Sequence, residues 1–333
     1  MPALRELPVE VEWGLAYEAL VGLGLFIGGE TEQTYEVGEE WFRSVRRRAS
    51  ADLKQAARRF SGKNGFWLTG LVGLVRETGA RDVSALVARI RRDRTGVTRE
   101  AVLHCEPRLR AAILNGDPQA RSEYLKRHSP RHRPFVKRTL EADPREVARE
   151  VADLIEQWNT EVFSELGPPL ADALEASAVS ARRLARQLPS DRLIVKVTRG
   201  IEYVQEPWID SVVLVPSVLN RPWVDITEVG SAKFFIYPAS PNATAPDVEL
   251  VELYKALGDE TRLRSLRLMA TGVTGLTEIA EKLGLAKSTV HGHMVILRTA
   301  GLTRSLVGVE GKRYALNHRP DLNSLLDSYL KSR

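Results

Sequence analysis

Apolar residues between about 10 and 188 recur at three- and four-residue intervals, which is the spacing of amphipathic helices. The segment "DPREVAREVADLIEQWNTEVFSEL" shows this spacing over its whole length. Asp143 at its start suits a helix N-cap, and Pro144 suits the first helical position. We therefore predict a mostly helical N-terminal region.

The period changes from three or four to two at about residue 191. In "DRLIVKVTRGIEYV", Leu193, Val195 and Val197 alternate with other residues, as in a strand. "SVVLVPSV", "WVDITEVG" and "AKFFIYP" follow as further apolar runs separated by Pro, Asn and Gly. We predict a small, mostly antiparallel sheet over about 191–237, packed on the helices.

The segment "PASPNATAP" holds three prolines among small residues and predicts a linker at 241–246. It divides the chain into an N-terminal domain, residues 1–240, and a C-terminal domain, residues 247–333. The predicted fold class is α+β, a helical domain with a small sheet followed by a smaller C-terminal domain.

The C-terminal domain begins with two helices in "VELYKALGDETRLRSLRLMA", the second capped by Asp259. "LTEIAEKLG" predicts a short helix with Thr277 as its N-cap, and Gly284 a tight turn into the helix "AKSTVHGHMVILRTAG". Two short helices joined by such a turn form a helix-turn-helix. "LTRSLVGVEGKRYALN" then predicts two strands of a wing, and an amphipathic helix closes the chain.

The charge distribution favours a polyanionic partner for this domain. Residues 250–333 carry 13 Lys or Arg against 8 Asp or Glu, which accounts for the whole net charge of +5. No apolar run reaches the roughly 18 residues of a membrane span, and the N-terminus lacks the pattern of a signal peptide. The single cysteine excludes an internal disulfide. We expect a cytoplasmic protein without membrane contact.

The residues "LYKALGDETRLRSLRLMA…LTEIAEKLGLAKSTVHGHMVILRTAGLTRS…GKRYALN" resemble the winged helix-turn-helix of ArsR-type bacterial repressors over about 85 residues. The resemblance implies a sequence-specific regulator, most simply a repressor, that binds a two-fold site on double-stranded DNA as a homodimer. It also implies dimer contacts through residues 248–257 and 321–331. "VVLVPSV" and "FFIYPAS" are similar to segments of large ArsR-like regulators, which implies an effector-sensing role for residues 1–240 without identifying the effector.

The helical pattern places Val290, Met294 and Leu297 in the core, so that the opposite side of that helix faces outward. Recognition helices insert their N-terminal half into the major groove. The predicted phosphate contacts are Lys287, Arg298, Arg304, Lys312 and Arg313. The predicted contacts to base edges are Ser288, Thr289 and His291. His293, which matches a histidine of the family's recognition helix, lies nearer the helix flank, and Val295 is expected on the outward half.

A metal site at His291 and His293 is disfavoured, because residues two apart on a helix diverge by about 200°. Gly275 and Thr277 stand where soft-metal sensors of the family carry a Cys-x-Cys pair. Ala286 is a departure from the Ser or Thr that the family commonly uses as N-cap. We predict no bound metal and no cofactor.

The remaining candidates favour structural roles. The glycines in "VGLGLFIGGE" match no nucleotide-binding motif, Pro130 interrupts the pair His128 and His132, and His104 beside Cys105 lacks a catalytic partner. The arginines at 46–48 and 89–94 suit exposed helix faces or contacts with flanking DNA. The tryptophans suit the core, although some could line an effector pocket.

We therefore predict that the chain is not an enzyme, and two alternatives stay open. One is an enzyme in residues 1–240 with an appended winged helix. The other is a winged helix used only for protein contacts, which would bury the face that carries Lys287, His291 and Arg298 against another chain.

Overall fold

The structure is a computed structural model that describes residues 7–28, 34–60, 69–79, 82–103, 107–128, 130, 132–239, 246–308, 311–317, 326, 327, 329 and 330. The first described element of the N-terminal region is strand β1 (Val9–Val11), and the described residues from there to residue 200 are mostly helical. Its helices are α1 (Leu15–Gly28), α2 (Gly38–Arg48), α3 (Ala51–Arg59), α4 (Val72–Thr78), α5 (Val83–Arg91), α6 (Val97–Leu103), α7 (Pro107–Leu114), α8 (Pro118–Arg127), α9 (Arg133–Glu141), α10 (Pro144–Trp158), α11 (Ser164–Leu166), α12 (Ala171–Ala185) and α13 (Ser190–Val197). The helical period of this region is confirmed, including the cap by Asp143, which accepts from the Arg145 amide at 2.7 Å.

The strands after residue 200 are β2 (Ile201–Tyr203), β3 (Ser211–Ser217), β4 (Asp225–Val229) and β5 (Ala232–Pro238). A four-stranded sheet has the order β1-β3-β5-β4. β3 is parallel to both β1 and β5, and only β4 runs antiparallel to β5. The sheet is therefore mixed, and the predicted antiparallel arrangement is only partly right.

Both faces of this sheet are covered. Val213 and Phe234 point into the large helical core, whereas Leu214 and Phe235 point into a second core that includes residues of α12 and α13. Strands buried on both faces have continuous apolar sequences and are typical of parallel pairing. The unbroken runs in β3 and β5 carry this signal.

The predicted strand at Leu193, Val195 and Val197 is wrong, because these residues form α13. Leu193 and Ile194 are buried in the second core, while Val195 and Val197 stay half-buried. The β-branched sequence favours a strand locally, but packing one helical face against the sheet overrides that preference. Gly200, with φ of +103°, then turns the chain into β2.

The C-terminal region contains α14 (Pro246–Leu257), α15 (Glu260–Ala270), α16 (Leu276–Leu283), α17 (Lys287–Thr299), β6 (Thr303–Gly308) and β7 (Gly311–Leu316). α15 is capped as predicted, since Asp259 accepts from the Arg262 amide at 2.9 Å. The predicted cap Thr277 is wrong: Gly275 precedes α16. A β-bridge between Gly275 and Arg313 fixes the chain there, so the helix starts earlier.

The N-terminal region also contributes to the wing. β2 pairs in parallel with β6, which pairs antiparallel with β7, so the wing is a three-stranded sheet. Residues 240–245, which hold most of the predicted linker, lie outside the described residues, and the domain division stays a prediction. Among the described helices none is long and apolar enough to cross a membrane.

Candidate nucleic-acid interface

α16 and α17 form the predicted helix-turn-helix. Gly284 has φ of +68° and ends α16 in the left-handed conformation, and the Leu285 amide donates to the Ala280 carbonyl at 3.0 Å. Val290, Met294 and Leu297 pack with Ile279 in the core of the C-terminal region, as predicted. This packing determines which side of α17 faces outward.

The first turn of α17 is open to solvent. Lys287, Ser288 and Thr289 are all exposed. Ala286 precedes the helix without a side-chain cap. The free amides of the first turn and the Lys287 ammonium together suit a phosphate, while the two hydroxyls can donate to phosphates or base edges.

His291 is half-buried one turn further along the helix. Its ring centroid lies 5.2 Å from that of Trp223, which belongs to the loop between β3 and β4. Its Nε2 lies 2.9 Å from Nζ of Lys312. Burial, together with the charges of Lys312 and Arg298, lowers the pKa of His291 to about 4. At neutral pH the ring is therefore uncharged and accepts a hydrogen bond from Lys312.

Arg298 is buried near the end of α17, with 3% of its surface exposed. Its Nη1 donates to the carbonyls of Thr198 and Arg199, the latter at 3.0 Å. These carbonyls lie at the C-terminal end of α13, where helix carbonyls lack intrahelical partners and a cation is stabilised. Burial lowers the pKa of Arg298 to about 10, and the group stays charged at neutral pH.

The predicted exposure of Arg298 and Val295 is therefore wrong. Val295 is also buried, at 5% exposure. The guanidinium of Arg298 is held by N-terminal carbonyls, so in this arrangement it is out of reach of a DNA phosphate. Its predicted phosphate contact requires the end of α13 to move away.

The wing holds the other predicted cations. Nη1 of Arg304 lies 2.7 Å from Oε1 of Glu202, in the N-terminal strand β2. The backbone of Lys312 and Arg313 lies in β7, and both residues are exposed. The Lys312 ammonium lies 5.6 Å from the centre of the Tyr314 ring. Partial desolvation by neighbouring protein, together with the Arg298 charge, lowers the pKa of Lys312 to about 8.

His293 faces α15 rather than the exposed side of α17. Its Nδ1 lies 3.9 Å from Oδ1 of Asp259, the cap of α15. Burial lowers the pKa of His293, partly opposed by the charge of Asp259. This placement agrees with the flank position expected from the sequence, and a DNA contact by His293 stays a prediction.

The N-terminal region thus touches the helix-turn-helix and the wing at several points. We call these points the interdomain contact: Thr198–Val204 and Trp223 against α17 and β6. Backbone hydrogen bonds to β6 continue just before and just after β2. The Ser305 amide donates to the Gly200 carbonyl at 2.9 Å, and the Val204 amide donates to the Val307 carbonyl at 2.8 Å. Arg199 adds an ion pair of 3.1 Å with Glu252 in α14. Sequence reasoning missed this contact, because nothing in a strand's own sequence names its partner.

The other candidates occupy structural positions. Gly22 lies within α1, packed near Trp158 and Trp41, and not in a phosphate-binding loop. Ion pairs hold Arg48 to Glu165 at 2.8 Å, and other arginines of 46–48 and 89–94 are similarly placed on helix surfaces. His104 and Cys105 lie outside the described residues, as do most of residues 321–331. Among the described residues, no three or more His, Cys, Asp or Glu lie together in a way that could hold a metal ion.

The tryptophans divide between core and surface. Trp158 is fully buried, as expected for the core, whereas Trp208 is 39% exposed. Trp223 is half-buried, and its Nε1 donates to the Thr34 carbonyl at 3.2 Å. Its ring is therefore held in position beside α17.

The sequence of this region matches one protein-family model. Residues 259–305, from the cap of α15 into β6, match the family described as "Bacterial regulatory protein, arsR family". Neither the curated proteins nor the solved structures contain a match to the chain. The matched segment contains the whole of α15, α16 and α17, with the exposed turn at its centre. The C-terminal region of this chain therefore carries the ArsR-type helix-turn-helix of a DNA-binding transcriptional regulator.

Proposed function

We propose that the chain reads a specific DNA sequence through the first turn of α17. The observation that carries this proposal is the exposure of Lys287, Ser288 and Thr289 at the start of the recognition helix. Lys287 would bind a phosphate, and the two hydroxyls would contact base edges in the major groove. Lys312 and Arg313 in the wing would add phosphate contacts.

The oligomeric state and the direction of regulation extend this proposal. α14 exposes Val251 and Tyr254, with 47% and 44% of their surfaces accessible, and Tyr329 and Leu330 near the C-terminus are exposed as well. Apolar groups of this kind support a homodimer contact through residues 248–257 and 321–331. A dimer would present two recognition helices to a two-fold site and act as a repressor. A cytoplasmic location, expected from the sequence, stays a prediction, and we assign the chain no enzymatic activity.

We further propose that the N-terminal region controls DNA binding through the interdomain contact. Arg298 and Arg304 are engaged by N-terminal groups, and Trp223 covers one side of His291. A form with this contact closed would offer DNA only the first turn of α17 and part of the wing. A small-molecule effector or a partner that binds the open form more tightly than the closed form would raise the affinity for DNA. The size of this increase is limited by the ratio of the effector's affinities for the two forms.

The test is selection of genomic DNA fragments retained by the full chain, followed by binding measurements on the enriched sequences. We expect enrichment of paired half-sites. The variant Lys287→Ala/Ser288→Ala should lose it, and Lys282→Ala, an exposed residue on α16, should keep it. Point variants are preferable to deletion of residues 1–245, because removing β2 would leave the edge of β6 unpaired.

One observation favours a second function, in which this winged helix binds protein alone. The far half of α17 already contacts the chain's own N-terminal region. Failure to enrich any DNA, both with the full chain and with a variant in which the interdomain contact is weakened, would support this alternative and contradict DNA reading.

A further inference from the structure

An open groove of about 360 Å³ lies between α8 and α9. Its apolar part is formed by Leu125, Leu140 and Pro118. Leu140 is 3% exposed and belongs to the helical core, which gives the groove a firm base. The volume lies at the low end of the range for sites that bind small organic molecules.

Positive charge is concentrated around this groove. Arg121, Lys126, Arg133 and Lys137 line it, against the single carboxylate of Glu141. The surrounding segment 107–141 contains nine Lys or Arg but only three Asp or Glu, an excess of six within a chain whose total net charge is +5. The groove therefore has an electrostatic environment that attracts anions.

Some surface arginines of the N-terminal region are neutralised by a nearby carboxylate, which most of the groove cations are not. Arg48, Arg76 and Arg89 each lie within 2.8 Å of a carboxylate oxygen. By contrast, Arg121 and Arg133 make no ion pair with any residue that the structure describes, and neither does Lys126. Lys137 is only weakly paired, with Nζ 3.9 Å from Glu141. The described residues therefore leave the positive charge in the groove largely uncompensated.

Both guanidinium groups that line the groove are held in place by backbone carbonyls. Nε of Arg121 donates to Ile113 at 2.9 Å. Nε of Arg133 donates to Leu125 at 3.1 Å and to His128 at 3.0 Å. Each guanidinium has five N–H donors, so several remain for a ligand. Because the side chains are already ordered, less conformational entropy is lost when an anion binds.

We propose that this groove binds a small amphipathic organic anion, a carboxylate joined to an aromatic or branched aliphatic body. The carboxylate would contact the guanidinium groups, which match it in shape and charge. The body would cover Leu125 and Leu140. An inorganic anion would leave this apolar surface uncovered, and a nucleic acid would not need it. Binding itself is independent of DNA reading; only the use of the anion as an effector rests on the proposed function.

The test is calorimetric titration of the full chain, without DNA, with 2-naphthoate as the probe. 2-Naphthamide and inorganic phosphate serve as matched ligands that lack the charge or the apolar body. We expect the amide to bind roughly tenfold more weakly, because hydrogen bonds to a charged partner are about twice as strong as neutral ones, and phosphate to bind more weakly still. Equal binding of naphthoate and its amide would overturn the proposal, as would tighter binding of phosphate.

Three variants locate the site. Lys126→Gln/Lys137→Gln removes two exposed cations and should weaken naphthoate binding by about threefold to tenfold. Glu141→Gln removes the opposing carboxylate and should strengthen it by about twofold. Lys196→Gln, at an exposed position on α13, is the matched control and should change nothing. An equal loss in the control, or no change in the double variant, would contradict the assignment; thermal unfolding checks that each variant is folded.

A further titration separates the anion site from an accessory DNA contact. The double variant Lys126→Gln/Lys137→Gln should bind a random DNA duplex as the unmodified chain does. A selective loss of duplex binding, with naphthoate binding retained, would mean that the groove serves DNA and would overturn the proposal. A chain that binds naphthoate as expected but enriches no DNA would contradict only the proposed function.

Discussion

The two ends of α17 differ in what surrounds them. At its start, Lys287, Ser288 and Thr289 are exposed, whereas near its end Arg298 is buried against N-terminal carbonyls. Neither Lys287 nor Arg298 belongs to the apolar cluster that contains Val290 and Leu297. One helix thus has an end that is open to solvent and an end that is bound by protein, and an amphipathic pattern alone does not distinguish them.

The difference has an electrostatic cause. The start of α17 has uncapped amide donors, which attract an anion. Arg298 supplies donors to the end of α13, where carbonyls lack partners. The two ends therefore suit groups of opposite polarity: peptide carbonyls are bound at the far end, and a phosphate is the group proposed for the start.

The largest expected effect is at the exposed end. Replacing Lys287, Ser288 and Thr289 together by Ala should reduce affinity for an enriched DNA site by about 100-fold, because each well-formed base contact contributes about 1–3 kcal/mol. Fluorescence anisotropy measures the change. Lys282→Ala, one helix earlier, should bind normally, and equal losses in both would mean that only general charge matters.

The buried end should affect stability more than DNA binding. Arg298→Ala leaves the carbonyls of Thr198 and Arg199 without their charged donor and should lower the free energy of unfolding by about 2–3 kcal/mol. Arg304→Ala breaks a more exposed ion pair and should lower it by less than about 1 kcal/mol. Urea unfolding measures the free energy of unfolding of both variants. Similar losses would show that the greater burial of Arg298 does not make its contacts more stabilising than those of Arg304.

Weakening the interdomain contact should raise DNA affinity. Trp223→Ala removes the aromatic contact with His291, worth about 1 kcal/mol, and should increase affinity by up to about fivefold. Trp223→Phe keeps a ring there and is the matched control. A decrease with Ala would instead indicate that the N-terminal region assists DNA binding.

Removing the two cations of the wing should reduce the salt dependence of DNA binding. Lys312→Gln/Arg313→Gln should weaken binding equally on specific and random DNA. The slope of log affinity against log salt should fall by about one to two. A slope identical to that of the unmodified chain would exclude phosphate contacts by these residues.

The smallest expected effect is the pH dependence of His291. Its pKa is about 4 in the folded chain, below the ordinary value of about 6.5. Between these values the unfolded chain binds a proton that the folded chain does not, so stability falls as the pH drops through this window. At pH 5 the loss should be about 1 kcal/mol or less for a half-buried group.

Comparing urea unfolding of the unmodified chain and of His291→Gln at pH 7.5 and pH 5 isolates this contribution from those of the neighbouring Lys312 and Arg298. The acid-induced loss should be smaller in His291→Gln by the same amount. Identical losses in the two proteins would mean that His291 does not titrate in this range.

The helix-turn-helix was predictable because its signals are local. The spacing of Val290, Met294 and Leu297 and the turn at Gly284 needed no distant partner, and the structure agrees with them. The error at α13 has the opposite origin. The alternation that includes Leu193 and Val195 is typical of a strand. The helix is more stable here only because one of its faces packs against the sheet.

The amino-acid sequence by itself determined the winged helix and the exposed first turn of α17, because apolar spacing, a left-handed glycine and capping residues act within a few positions of one another. Only the tertiary structure decided that β2 joins the wing and that Arg298 faces the end of α13. Strand edges and helix ends carry unsatisfied backbone groups whose partners can lie a hundred residues away. The fold selects those partners, and here it buries one end of α17 against protein and leaves the other end exposed.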